Sequence, residues 1–167
     1  MAVVTAGLLG PLDFQALSIS RWYYLTLTTR DPTYAVGDQR LFGDPAYRVE
    51  FSGAGFTYDA SGVPSGGTVN AFAETSNGQL VYRAEGLSLP VTQLLSWSYF
   101  GQTQLALSAG LAGNDVIYGA PFSDFIRGYN GADSFVMGNG NDTVYGGLVL
   151  RSRIIDSIRQ PWLGGPE

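Results

Sequence analysis

The chain has 167 residues, of which 14% are charged and 45% hydrophobic, with 23 glycines and a formal net charge of −5. The sequence contains no histidine, cysteine or lysine, which excludes disulfides, a Ser-His-Asp triad and thiolate or imidazole metal sites. The acidic balance argues against nucleic acid as a partner, and no apolar run reaches the length of a membrane span.

The first strand pattern covers residues 20–29, where aromatic and β-branched residues are concentrated. An Asp-Pro pair follows and ends it, so the polar segment 31–45 is predicted as a loop. A second strand pattern, interrupted by glycines, covers residues 46–58. The fold of residues 1–45 as a whole stays open at this point.

Two further strands are predicted at residues 67–74 and 80–85, joined by Asn77-Gly78, the strongest short hairpin signal. The apolar spacing changes after Gly86 and predicts a short helix that begins near Pro90. Residues 1–100 are therefore predicted to form an antiparallel β domain with a short helical cap.

Residues 110–145 repeat with a period of nine. A large apolar residue follows each repeated aspartate by two positions, and glycine precedes it by two positions in three of the four copies. The pattern matches the G-G-x-G-x-D-x-U-x nonapeptide of calcium-binding parallel β-helices. The array therefore resembles the RTX, or hemolysin-type, calcium-binding repeat family. The repeated aspartates are Asp115, Asp124, Asp133 and Asp142.

The resemblance implies an all-β fold in which residues 101–147 form a short parallel β-roll of two coils. Because a coil in this family takes two nonapeptides, it also implies that like turns stack 18 residues apart. This stacking places Asp115 beside Asp133 at one edge and Asp124 beside Asp142 at the other.

Two close carboxylates repel each other unless a cation lies between them, and calcium accepts carboxylate and carbonyl oxygens together. The resemblance implies up to two ions, with carbonyls of the glycine-rich turns completing each shell. The predicted calcium ligands are Asp115, Asp124, Asp133, Asp142, Gly110, Gly113, Gly128, Gly131, Gly138 and Gly140.

The two edges are not equivalent, because Ala120-Pro121-Phe122 replaces a Gly-x-Gly turn at one of them. Proline stiffens that turn, so calcium is expected first at the Asp115/Asp133 edge, and binding at the other edge stays open. A metal-free scaffold with turn-forming aspartates is the alternative. Residues 148–167 are predicted as an amphipathic tail, with a helix as one option, that caps the array.

The predicted function is that of a non-enzymatic, calcium-binding structural or adhesion protein outside the cell, in a bacterial surface layer or a phage particle. The first basic residue is Arg21, so no secretory signal is predicted. Protein neighbours or a surface glycan are the expected partners, and the chain is expected to be oligomeric or bound in an assembly. The alternatives are an RTX-type exoprotein acting alone and a carbohydrate-active domain using Glu74 and Glu85.

Overall fold

The structure, a computed structural model, describes residues 1–38 and 46–147 and the backbone of residues 153–155. Most of its elements are strands, as predicted. In chain order the elements are β1 (Val3–Ala6), α1 (Ser20–Tyr23), β2 (Thr26–Arg30), β3 (Tyr34–Asp38), β4 (Tyr47–Tyr58), β5 (Pro64–Ser76), β6 (Gln79–Pro90), α2 (Val91–Tyr99), α3 (Thr103–Gly110), β7 (Val116–Tyr118), β8 (Phe125–Arg127), β9 (Ser134–Val136), β10 (Thr143–Tyr145) and β11 (Arg153–Ile155).

Nine strands form one mixed sheet in the order β11-β9-β7-β1-β6-β5-β4-β3-β2, and β8 pairs with β10 in a second, two-stranded sheet. Strands β2 to β6 are antiparallel neighbours. Strand β1 pairs antiparallel with β6 and parallel with β7, so it joins the antiparallel and parallel halves. In the described part of the chain, no helix has the length and apolar character needed to cross a bilayer.

Three predictions for the first hundred residues are confirmed. Strand β4 covers the second strand pattern, and its pairing with β5 is irregular near Gly53. The hairpin between β5 and β6 turns at Asn77 and Gly78, whose φ angles of 51° and 74° suit the primed turns that match strand twist. The short helix is α2, although β6 continues as a strand up to Pro90 before the helix begins.

The strand predicted at residues 20–29 is partly wrong, because its first half is the helical turn α1. The turn carries Trp22 into the core, where its ring contacts Phe51 and Phe72 edge to face. The indole N–H donates to the Tyr47 hydroxyl at 3.2 Å and to a Glu74 carboxylate oxygen at 3.3 Å. These partners lie far along the chain, so local alternation did not reveal them.

The loop predicted at 31–45 contains strand β3, which is held between β2 and β4; residues 39–45 lie outside the described residues. The sequence also gave no prediction of β1 or of α3. The predicted capping tail lies outside the described residues except for the backbone of β11, which pairs parallel with β9 and is a strand rather than a helix.

Candidate metal centre

The nonapeptides form two stacks of parallel three-residue strands. Strand β7 pairs with β9, matching Val116 to Ser134, and β8 pairs with β10, matching Phe125 to Thr143. Both registers are 18 residues, the offset that the resemblance implied. The repeated apolar residues Ile117, Ile126, Phe135 and Val144 are all buried.

The repeated aspartates link one coil to the next through the backbone. The Asp115 N–H donates to the Oδ1 of Asp133 at 3.0 Å, and the Asp124 N–H donates to the Oδ1 of Asp142 at 2.9 Å. The structure thus brings together the residues of both predicted pairs, Asp115 with Asp133 and Asp124 with Asp142, each across adjacent coils.

At the Asp115/Asp133 edge one oxygen of each carboxylate is left without a protein donor among the described residues. Both side chains are almost fully buried, and the Oδ2 atoms of both are buried without a hydrogen-bond partner among the described residues. A buried carboxylate oxygen without a donor is costly. This edge therefore has two oxygen atoms available for a cation.

At the other edge Asp124 is more fully engaged. Its Oδ1 accepts the Leu12 N–H at 2.6 Å, and its Oδ2 accepts the Ala120 N–H at 2.7 Å. Both oxygens of this carboxylate already have protein donors. The equivalent aspartates Asp124 and Asp133 therefore differ in their hydrogen bonding, since the Oδ2 of Asp124 has a protein donor and that of Asp133 has none among the described residues.

Burial raises the pKa of one aspartate at each edge. It raises the pKa of Asp133 to about 6, opposed by the hydrogen bond from the Asp115 backbone and reinforced by the negative charge of Asp115. It raises the pKa of Asp124 to about 6 as well, opposed by the bonds from Leu12 and Ala120 and reinforced by the charge of Asp142. Both ionised carboxylates are thus destabilised unless positive charge is supplied.

The glycine turns of the second coil pack directly against carbonyl groups of the first. A Cβ on Gly131 would collide with the Gly113 carbonyl, and a Cβ on Gly140 would collide with the carbonyl of Phe122. Gly131 and Gly140 have φ angles of 135° and 134°, which only glycine adopts easily. Carbonyl oxygens of the first-coil turns therefore face the second coil at both edges.

The Ala120-Pro121-Phe122 turn keeps this arrangement. Phe122 replaces a glycine at the position equivalent to Gly113, and neither residue has φ in the left-handed region. The first-coil turn consequently tolerates a side chain where the second-coil turn does not. The Ala120 carbonyl likewise faces Gly138, where a Cβ would collide with it.

Two predicted glycines occupy other positions. Gly110 is the last residue of α3 and lies against Leu87 and Leu89 rather than in an inter-coil turn. Gly128 lies against the Oδ2 of Asp133 within its own repeat, where a Cβ would collide with that oxygen. Gly128 thus leaves room for the carboxylate.

Sequence reasoning missed a third layer of the stack, formed by the N-terminal segment. The Ala2 N–H donates to the Oδ1 of Asp115 and the Leu12 N–H to that of Asp124, repeating the pattern seen one coil further on. Val4 aligns with Ile117 in this layer and is buried like it. Because neither Ala2 nor Leu12 is acidic, no aspartate period marks this layer in the sequence.

Two polar side chains of the turns were also missed. The Asn114 Oδ1 accepts the Ala132 N–H at 2.9 Å, and the Ser123 hydroxyl accepts the Asn141 N–H at 3.0 Å. Both bonds span 18 residues and stand immediately before a repeated aspartate. Their shared position in the repeat was the signal that could have identified them.

A family model described as the RTX calcium-binding nonapeptide repeat matches residues 109–144 in four copies. Residues 109–144 are an RTX repeat array. The predicted family resemblance of this segment is confirmed, and calcium is the ion that such repeats bind. No curated protein and no solved structure matches the chain significantly.

The residues of the RTX array fit calcium. No three acidic side chains among the described residues cluster as a metal site, so a shell of six to eight oxygens needs backbone carbonyls beside each pair of carboxylates. The Asp115/Asp133 edge has two unpartnered carboxylate oxygens, and the Gly113 carbonyl faces the next coil. All of these are the hard oxygen donors that calcium prefers.

The alternative carboxylate pair does not come together. Glu74 pairs across the hairpin with Tyr82 and is buried, whereas Glu85 pairs with Ala71 and is exposed beside Arg83. The two side chains lie on opposite faces of the sheet, because strand residues alternate between faces. A two-carboxylate mechanism with Glu74 and Glu85 is therefore wrong.

Proposed function

We propose that the RTX array holds calcium between its coils and that the ion acts as a structural link. The observation that carries the proposal is the pair of buried, unpartnered Oδ2 atoms of Asp115 and Asp133. Desolvated carboxylates are destabilised without a counter-charge, and a divalent cation removes that penalty for two of them at once.

The first ion would be held by Asp115 and Asp133 together with carbonyls of the turns that contain Gly113 and Gly131. The second edge, with Asp124 and Asp142, would bind more weakly because the Asp124 oxygens already accept backbone N–H groups. When bound, calcium supplies positive charge and fixes the spacing of the coils in a parallel β-roll. The chain's own contribution is to hold the carboxylates and carbonyls in place.

This chemistry suits a non-enzymatic scaffold that works outside the cell. Extracellular calcium modules operate at dissociation constants of roughly 10⁻⁴–10⁻³ M, so the array would be filled outside and empty inside. Binding energy at such a site contributes directly to folding. The roll would then stiffen the antiparallel half of the sheet, to which β1 joins it, whether the chain acts in a surface layer, in a phage particle or as an exoprotein alone.

The side of the molecule near α1 and α2 supports a role in assembly. Tyr23, Tyr24, Tyr99 and Phe100 are each more than 40% exposed and form one aromatic patch. The Tyr23 ring centroid lies 5.2 Å from that of Tyr24 and 4.7 Å from that of Tyr99, which lies 4.9 Å from Phe100. Contiguous exposed aromatics are typical of binding surfaces. A protein neighbour or a surface glycan is the expected partner.

Calorimetric titration of the full chain with calcium, with far-UV circular dichroism recorded in parallel, tests the proposal. We expect one or two ions per chain and a more cooperative unfolding transition in calcium. Asp133→Asn should weaken the tightest site at least tenfold, whereas Asp59→Asn, in an exposed hairpin turn, should leave it unchanged. Absence of binding, or equal effects of both substitutions, would show that the array is a metal-free scaffold.

A further inference from the structure

A second candidate site lies in the antiparallel half, away from the repeats. A cavity of about 330 Å³ opens between the sheet and α2, within the range of small-molecule sites. Its floor includes Ala35, Phe51 and Val69 of the sheet, and Leu94 and Leu95 of α2 form one wall. The lining is predominantly apolar, so an occupant must present an apolar body to it.

The polar groups of the lining are largely engaged within the protein. The Tyr58 hydroxyl donates to the Asp31 carbonyl at 3.2 Å, and the Ser98 hydroxyl donates to the Ile19 carbonyl at 3.1 Å. A sugar would need several free hydrogen-bonding partners inside the cavity. The interior instead favours a hydrocarbon.

A cationic side chain, that of Arg30, lies at the mouth of the cavity and is held there by a hairpin turn. Arg30 donates from Nε to the Gly62 carbonyl at 3.1 Å. The hairpin turn that contains Gly62 is fixed by Asp59, whose Oδ1 accepts the N–H groups of Ser61 and Val63 at 2.8 and 2.9 Å. Within residues 1–38 and 46–147, no carboxylate forms an ion pair with Arg30. Its outer guanidinium nitrogens can therefore meet an anion.

We propose that this cavity binds a free medium-chain fatty acid, with the hydrocarbon chain inside and the carboxylate at Arg30. A cavity of roughly 150 Å³ admits benzene, so this one, at about twice that volume, holds on the order of ten to twelve carbon atoms. Guanidinium and carboxylate form charge-assisted hydrogen bonds. Decanoate has the matching length and head group.

The test is calorimetric titration of the full chain with decanoate, kept below the concentration at which calcium decanoate precipitates, and with 1-decanol as the neutral analogue. We expect one decanoate per chain. Arg30→Gln should weaken decanoate about tenfold and leave 1-decanol unchanged, while Arg83→Gln, on the exposed outer face, should change neither. Leu95→Trp, which fills the cavity, should abolish binding of both ligands, and Leu105→Trp, on the exposed face of α3, should not.

Three outcomes would overturn the proposal. Wild-type protein that binds no decanoate has no such site. Binding that survives Leu95→Trp lies elsewhere on the surface. Binding lost in Leu95→Trp but unchanged in Arg30→Gln belongs to a cavity that accepts hydrocarbon without recognising the carboxylate.

Discussion

The contact between Gly131 and the Gly113 carbonyl makes the stacking of the coils testable with one methyl group. In Gly131→Ala the new Cβ would collide with backbone atoms, which cannot swing aside as a flexible side chain can. The residue would also keep a φ of 135°, a conformation that costs an L-residue about 1–3 kcal/mol. The coils must separate or the turn must rebuild.

The size of the expected loss of stability follows from the hydrogen bonds that this separation of the coils weakens. The bonds from Ala132 N–H to Asn114 and from Asp115 N–H to Asp133 flank the collision, and each contributes about 1 kcal/mol. Together with the backbone strain, the free energy of unfolding of Gly131→Ala should fall by about 3–5 kcal/mol. Because Asp115 and Asp133 move apart, calcium affinity should fall as well.

Urea unfolding followed by circular dichroism, in chelator and in calcium, measures the effect against two matched glycines. Gly78 has a φ of 74° and open space around its Cβ position, so Gly78→Ala should cost only the strain, about 1 kcal/mol. Gly10 also has open space and no left-handed φ, so Gly10→Ala should be within about 0.5 kcal/mol of wild type. If Gly131→Ala matched Gly78→Ala, the tight coil stacking inferred here would be refuted.

Three further predictions concern other parts of the chain. The pKa values of Asp124 and Asp133 are raised to about 6, so the calcium-free protein should gain stability as the pH falls from 7.5 to 5. The stability that protonation of these two carboxylates contributes is complete below the unfolded pKa near 4 and is lost as the pH rises through 6. Equal urea midpoints at both pH values would contradict this prediction. In calcium the slope should reverse, because the ion binds ionised carboxylates. Val4→Ala, in the buried third layer, should cost about 2 kcal/mol in urea unfolding, whereas the same change at the half-exposed Val63 should cost under about 0.5 kcal/mol; similar values would remove Val4 from the core. Trp22→Phe leaves two buried oxygen acceptors without their indole donor, so thermal unfolding should report a loss of about 1–3 kcal/mol, and a neutral result would show that those bonds contribute nothing.

The repeat array was predictable because its information is local. A period of nine, with an aspartate and an apolar residue at fixed positions, specifies both the strand and the distance to the next one. The 18-residue register between Val116 and Ser134 follows from that period and the family resemblance. The Asn77-Gly78 turn was predictable for a similar reason, because two residues alone define its geometry.

The errors came from partners that lie far along the chain. Residues 20–23 have the composition of a strand, but the helical turn delivers Trp22 to acceptors 25 and 52 residues away. Strand β1 has the apolar composition of a strand but carries no repeat signature. The N-terminal segment that contains it is held at Ala2 by Asp115 and at Leu12 by Asp124, more than a hundred residues later. Local pattern cannot encode such contacts.

The difference between the two edges could be predicted only in part from the sequence. The replacement of glycine by Phe122 suggested a damaged turn, yet the first coil does not need the left-handed φ that the second coil has at Gly131 and Gly140. What distinguishes the edges in the structure is the hydrogen bond from Ala120 N–H to Asp124. That bond depends on turn geometry rather than on residue type.

The position of β1 explains why a short array of four nonapeptides can be stable. Two coils bury little apolar surface on their own, but β1 adds a third layer on one side and pairs with β6 of the antiparallel half of the sheet on the other. Asp115 therefore links the array to the segment that contains β1. Its Oδ1 accepts a hydrogen bond from the Ala2 N–H, immediately before β1, and its Oδ2 is a proposed calcium ligand. An ion at that carboxylate would act one hydrogen bond away from the segment that contains β1, so calcium would stabilise the parallel and antiparallel halves of the sheet together.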